Sequence, residues 1–550
     1  METLKTLILC FVLLATAASI IPLAYADIPP AALKTPPMVK EQSVSTFVPS
    51  EAAPGQGIAV NLIYSTRPRY KEGAPVVVVV PGGNHNHGLD SSIHAAQQGF
   101  IELRFAFPGG GKPGFASSGI YDNRGAKSQE ALRDVMKFAA GVIDDYQGKK
   151  ISDLLPVTVY NKTIGTIGWS NGGNILIVTL AKHASELPFV SWMALYESPV
   201  GSLFFPPNLG GAEDRMLNKH YRAGTAATGQ PLVDWTKLRY DGTGIKHPGS
   251  HKKLGEPEIK GVVFFDENGN NAWDETGEFA LTYSTDVGFD KQIYPPAATK
   301  NLLRLPEFQQ PKPDKSKPKE KPAPVAIPFA SMEESQGYFH DRDGSLHVKE
   351  LVAAYPTMAF TLFGSHLDHL QRQPDHPHIA LLYNALLEAK AKFLRLNPSS
   401  IYVAHVSNMK ASTFAENKPG SSIESDAIDQ CLEPEGLIPD YAYMEAAAAE
   451  LSDRVYVGKW NKILAAPLVN YSNGASPPPE TKPSATTDTG SKAGSSSTSS
   501  SSSVKPTKSA EPSRSTKPPK KEPAIPASPG PGGFSWPTAE KDAVRERKKP

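Results

Sequence analysis

A chain of 550 residues with 39% hydrophobic composition is long enough to bury a large core and to hold more than one domain. Its 57 basic and 56 acidic residues leave a formal net charge of +1, so the overall balance gives no electrostatic footprint for nucleic acid or an anionic membrane surface. A small or neutral substrate fits that balance better, and no nucleic-acid partner is expected.

Residues 1–26 read as an export signal: Lys5 near the start, an apolar run over 7–23, and Ala24-Tyr25-Ala26 before Asp27. Thr16, Ser19 and Pro22 interrupt the run, which falls short of the ~20 predominantly apolar residues of a spanning helix. No transmembrane segment is therefore expected after signal removal, and the location is secreted or periplasmic. Cys10 lies inside the signal behind the bulky Leu9, which argues against lipoprotein processing there. Cys431 then stands alone in the mature chain, so no internal disulfide is expected, and it is read as structural rather than catalytic.

The core begins in the segment 27–200. Runs at 43–48 and 57–64 read as an antiparallel pair, and 75–80 is an unbroken apolar run of the kind buried on both faces of a central strand. Pro81-Gly82-Gly83 follows, then a strand over 100–107. Gly109-Gly110-Gly111 and Tyr121-Asp122-Asn123-Arg124-Gly125 form a loop before a helix over 128–143, striped by Leu132, Val135, Met136 and Ala139. A strand over 163–169 runs straight into Ser170, and a helix starting near Asn171 continues through Ile175, Val178 and Ala181. A further strand spans 189–196. This alternation predicts an α/β protein with a doubly wound, mostly parallel sheet.

The next core strand comes only at 357–363, so 201–355 is read as an insertion, with the Pro/Lys stretch 310–325 as an exposed extended linker. A second part of the core, 356–475, holds a helix over 379–389, a strand near 393–396 and further helical sequence at 441–451. From 476 to 550 the chain is rich in Ser, Pro, Thr and Lys and is read as a disordered tail. Its basic end, Arg545-Glu546-Arg547-Lys548-Lys549, reads as solvated, with contact to an acidic cell-envelope polymer as the alternative.

Gly168-Trp169-Ser170-Asn171-Gly172 has the spacing of a nucleophile elbow, a strained strand-to-helix turn that lifts a serine hydroxyl above the sheet. Glycines two before and two after the serine let the turn close, and the helix start offers N–H groups to a developing oxyanion. The competing reading is a glycine-rich turn with an incidental serine. On these residues the sequence resembles the α/β-hydrolase family, within it the dienelactone hydrolase and prolyl-oligopeptidase-like branches, over 43–202 and 357–405.

The resemblance implies a Ser–acid–His triad in that chain order, with no cofactor required for catalysis. It puts one oxyanion donor on Gly83 or Asn84 and the other on the Asn171 amide. The acid falls on Asp368, in Gly364-Ser365-His366-Leu367-Asp368, with Glu197 in Tyr196-Glu197-Ser198-Pro199 as its rival. The base falls on His405, past the last strand, ahead of His369, His376 and His378. His85 and His87, directly after the Pro-Gly-Gly loop, read either as substrate-binding or as surface residues, the surface being favoured. The expected substrate is a small carboxylic ester or a peptide. Only 27–42 precedes the sheet after signal removal, too little for a gating propeller, which favours the ester over a prolyl-oligopeptidase-like peptidase. A non-catalytic envelope-binding protein retaining the fold is the reading from another class.

Inside the insertion, Asp266, Asn268 and Asn270 alternate, with Asp274 close behind, a spacing that suits one calcium ion. Asn271 stands where an EF-hand loop has glycine, and Gly277 where it has its closing glutamate. A plain polar turn is the alternative; a calcium ion here would stiffen the insertion. Asp341-Arg342-Asp343-Gly344-Ser345 with Glu350 has Phe339 at the first ligand position and reads as a turn. The resemblance further implies that the insertion acts as a lid and sets substrate choice.

Overall fold

A computed structural model describes residues 40–83, 85–198, 210–211, 216–217, 221–222, 232–245, 260–281, 293–309, 330–363, 377–396 and 440–458. The expected export signal at 1–26, the expected linker at 310–325, Cys431 and the expected tail at 476–550 lie outside them.

Eight strands form the central sheet: β1 (Glu41–Val48), β2 (Ile58–Ser65), β3 (Ala74–Val80), β4 (Ile101–Phe105), β5 (Val159–Trp169), β6 (Val190–Tyr196), β7 (Ala359–Phe363) and β8 (Phe393–Leu396). Their order is β1-β2-β4-β3-β5-β6-β7-β8. β2 pairs antiparallel with β1 and β4, and every other pairing is parallel. The antiparallel pair expected at the start is present, in a register that sets Ser43 opposite Ile63 and Phe47 opposite Ala59.

The valine run of β3 shows why the sheet is covered on both sides. Side chains alternate along a strand, and here Val76, Val78 and Val80 enter one core while Val77 and Val79 enter another. The first core is closed by α1 (Ala126–Ala139), α2 (Gly172–Lys182), α5 (Val348–Ala354) and α6 (Pro377–Glu388), through residues such as Leu132, Ile175, Leu351 and Leu386. α1 ends four residues before the expected 143, because Gly141 turns the chain with φ 71. Asp122 caps its start, accepting from the amides of Lys127 at 2.7 Å and Ser128 at 3.2 Å.

The second core is closed by α7 (Asp440–Val457), which runs beyond the 441–451 read from sequence. Its alanines 446–449 bring the helix close to the sheet, and Tyr443, Met444 and Leu451 pack against Ile167, Trp192, Ala194 and Phe363. Trp192 in turn needs Gly165 on the neighbouring strand, where a Cβ would fall 1.8 Å from the indole. No described helix is long and apolar enough to cross a membrane.

Buried charges fasten α7. Asp453 takes a two-point contact from Arg69, at 2.7 and 2.6 Å. Glu450 sits 2.9 Å from Arg395 of β8 and 2.8 Å from Arg454. Half-buried Glu445 accepts the His94 amide at 2.8 Å. Burial pushes its carboxyl up to about 8, and the Glu102 and Glu41 carboxylates add to the rise against the opposing His94 hydrogen bond.

The folded chain therefore keeps a proton that the unfolded chain, with an ordinary value of 4.5, releases. Stability from this group is full below that value and is lost as pH rises through about 8. Glu445→Gln, which has no proton to lose, is expected to be more stable than the parent at pH 8 and no more stable at pH 4. Urea unfolding at both pH values checks this; a constant difference between the two proteins would contradict it.

The insertion has its own small core. Strands Leu238–Ile245, Lys260–Phe265 and Phe279–Ala280 form an antiparallel sheet on which α3 (Pro296–Leu302) packs, burying Leu238, Phe265, Tyr294 and Leu302. α4 (Met332–Arg342) starts with a capping box in which Ser331 and Glu334 satisfy each other's amides. Beyond α4 the chain rejoins the main core at Val348, Leu351, Val352 and Tyr355.

Candidate active site

Between the end of β5 at Trp169 and the start of α2 at Gly172, two residues must turn a strand into a helix. Ser170 takes φ 47, in the left-handed region that costs a side chain-bearing residue about 1–2 kcal/mol. Neighbours hold it there. Its N–H donates to the Tyr196 carbonyl at 2.8 Å, and its carbonyl accepts the Gly173 N–H at 2.9 Å. Trp169 stacks on Tyr196 with centroids 4.4 Å apart.

The flanking glycines are demanded by contact. A Cβ on Gly168 would fall 2.8 Å from Leu176 and Leu195, and one on Gly172 would fall 2.3 Å from the Val80 carbonyl oxygen. Gly82, in the loop after β3, would place a Cβ 2.7 Å from that of Ser170. That loop therefore lies directly against the serine.

Parallel register extends the site along one edge of the sheet. Tyr196 is opposite both Trp169 and Phe363. The residue after Tyr196, Glu197, is buried, has φ 43 and donates its N–H to the Phe363 carbonyl at 2.9 Å. Ser170 and Glu197 thus stand in one row beyond neighbouring strand ends, both in strained backbone.

On the other side of the Pro-Gly-Gly loop sits Arg124, with φ 66 and 2% exposure. Its Nη2 donates to the carbonyls of Pro81 at 3.0 Å, Gly82 at 2.9 Å, Gly83 at 3.3 Å and His85 at 3.4 Å. The guanidinium lies 4.0 Å above the Phe107 ring. Arg342, at the end of α4, holds the loop carrying Arg124, donating to the carbonyls of Asp122 at 2.9 Å and Asn123 at 2.8 Å.

A mostly parallel eight-stranded sheet with one transposed strand pair, covered on both faces and carrying a left-handed serine between its fifth strand and the next helix, decides the fold. The chain has the α/β-hydrolase fold.

No protein-family profile and no curated protein matches the sequence. Among solved structures, this chain is similar to brefeldin A esterase, a bacterial homologue of human hormone-sensitive lipase. Identity there is 11%, covering 80% of this chain and 87% of that one, with a TM-score of 0.31. It is also similar to a hypothetical protein from Pseudomonas aeruginosa, with 15% identity over 67% of this chain and 88% of the other, at a TM-score of 0.30. A prolyl endopeptidase matches with 14% identity over 30% of this chain at a TM-score of 0.21, and the chain spans only 22% of that protein's length. The fold is read from the strand order and the serine turn, to which these distant likenesses add no weight.

Of the residues expected at the hydrolase site, Ser170, Asn171 and Gly83 come together. The Asn171 amide heads α2, whose dipole favours negative charge at that end, and its side-chain Nδ2 donates to the Gly83 carbonyl at 3.4 Å. Asn84, Asp368 and His405 lie outside the described residues, as do His369 and His376. His87 is exposed, but His85, also expected at the surface, is half-buried with its ring against Gly83, where a Cβ would fall 2.8 Å from it. Burial, with the Arg124 and His87 charges adding, pushes its imidazole down to about 4, so it is neutral at pH 7.

Sequence reading saw the segment containing Arg124 only as a loop. Its contacts run to backbone carbonyls, which leave no mark in the sequence. The one available signal was a cation in a glycine-rich stretch near the elbow.

In the insertion, the four oxygen-bearing residues expected as calcium ligands line successive turns. Asp266 accepts from the Gly269 amide at 2.8 Å, Asn268 from Asn270 at 2.9 Å, Asn270 from Ala272 at 2.7 Å and Asp274 from Thr276 at 2.9 Å. Glu278 closes the loop by accepting from Glu267 at 2.9 Å and Asp274 at 3.0 Å. Among the described residues no group of three or more His, Cys, Asp or Glu is arranged around a common metal position.

Proposed function

We propose that the protein is a serine hydrolase of small carboxylic esters, acting after export from the cytoplasm. The observation that carries this reading is the strained Ser170 at the head of α2, with Gly82 packed against it. His405 takes the hydroxyl proton as Ser170 Oγ attacks the substrate carbonyl, and Asp368 orients the imidazole and stabilises its cation. The negative oxygen of the tetrahedral intermediate is received by the amides of Asn171 and of Gly83 or Asn84, close to the positive end of α2. His405 returns the proton to the leaving alcohol, and water then releases the acyl group. Calcium in the 266–274 loop would stiffen the insertion and take no part in these steps. Contact with the cell envelope would fall to the basic tail.

Glu197 is the second reading for the acid, favoured by its burial and strained backbone in the same row as Ser170. The assay that tests the function is turnover of short-chain p-nitrophenyl esters against a prolyl p-nitroanilide by the exported protein. Ester turnover well above anilide turnover is expected, with Asp368→Asn losing far more kcat than Glu197→Gln. Preference for the anilide would favour the peptidase, and no turnover by a folded protein would favour a binding protein.

A further inference from the structure

Arg124 is an unusual place to put a cation. It is buried, and among the described residues it makes no ion pair. The nearby Asp122 carboxylate is occupied at the start of α1 by Lys127 and Ser128. Burying an unpaired guanidinium costs several kcal/mol, and the chain adds two successive left-handed residues, Asn123 with φ 52 and Arg124 with φ 66. These costs are offset by the carbonyls of Pro81, Gly82, Gly83 and His85 and the face of Phe107, with the neighbouring Tyr121 and Asp122 also favouring the charge.

Those carbonyls belong to the loop that bears an expected oxyanion donor. In a planar trans peptide the C=O and N–H point in opposite directions, and the described backbone contains no cis bond. The Gly82 carbonyl, 2.9 Å from Arg124 Nη2, shares its peptide with the Gly83 N–H. Holding that oxygen on the arginine side turns the N–H to the opposite side. A cation on the oxygen also polarises the peptide, so its N–H becomes a stronger donor. Because none of the described carboxylates forms an ion pair with the guanidinium, much of its charge acts beside the place where negative charge develops.

We propose that Arg124 is a positioning residue of the oxyanion hole, orienting and polarising the Gly82–Gly83 peptide through its carbonyl. This inference rests on Ser170 being the nucleophile. Lysine at this position would keep a charge but offers a flexible, strongly hydrated ammonium in place of a delocalised guanidinium stacked on Phe107. The ester assay on Arg124→Lys and Arg124→Met, with thermal unfolding as the control for folding, tests it. A fall in kcat of about 10–100-fold is expected, smaller for lysine than for methionine, with KM changed by less than about threefold. Affinity for a boronic acid, which forms a tetrahedral adduct on the serine, should fall in the same proportion, while affinity for an uncleavable ground-state ester analogue stays at the parental value.

Folded variants with parental kcat, or with a loss confined to KM, would overturn the proposal. If Arg124→Met does not fold, Arg124→Lys decides alone by the same split. If Ser170→Ala leaves ester turnover of the otherwise unchanged chain intact, the nucleophile assignment fails first and this proposal falls with it.

Discussion

Ser170→Ala is expected to abolish both ester turnover and labelling by a fluorophosphonate probe, while the protein still unfolds at close to the parental temperature. Such probes react with activated serines, and a triad without its nucleophile loses roughly 10⁴-fold or more in kcat. The fold should tolerate the change. The backbone contacts that hold the turn, from Ser170 N–H to Tyr196 and from Gly173 N–H to Ser170, do not use the hydroxyl. Alanine inherits the same left-handed strain as serine. Ser170→Gly, equally inactive, relieves that strain and should unfold at a higher temperature, a gain of about 1 kcal/mol. Labelling that survives in Ser170→Ala would remove the central assignment, and a glycine variant less stable than the alanine one would remove the claim of strain.

Glu450→Ala is expected to be the most destabilising single change outside the site. Its carboxylate lies between Arg395 and Arg454, and all three side chains are at most 2% exposed. Truncation leaves two guanidiniums buried without this partner, which costs about 3–5 kcal/mol. Arg395 belongs to β8 and Arg454 to α7, so the same change loosens the helix that closes the second core. Glu450→Gln, which keeps the shape and some hydrogen bonding, should lose less. The midpoint of urea unfolding is the measurement, and an alanine variant within about 1 kcal/mol of the parent would show that the cluster stabilises little.

Much of the core was legible because two simple periodicities carry it. The short β-branched apolar run of β3 suits a strand covered on both sides, and the change of period after Ser170 marks strand, turn and helix in order. α7 was read as a helix over 441–451, but its place across Val77, Val79 and Trp192 depends on contacts far apart in the chain. The pairing of Glu450 with Arg454 has helical i, i+4 spacing that a sequence can show, whereas Arg395 arrives from another element. Arg124 was not legible because every residue carries the same carbonyl. For His85 the favoured surface reading gives way to a half-buried ring against Gly83, because that packing depends on how the glycine loop folds back. The oxygens of 266–274 pose a different difficulty, since side chains spaced to ligate a cation are also spaced to cap turns.

The end of α4 and the segment after it bear on how this protein could be reshaped. Asn174, in the first turn of α2, accepts the Gly344 N–H at 3.0 Å and donates to Asn171 at 3.1 Å, while Asp341 is 3.0 Å from Lys182 at the other end of the same helix. The return leg of the insertion is thus a splint along the helix that follows the serine. Anyone replacing the insertion of this scaffold has to keep 338–347, since a transplant that removed them would take the splint with it.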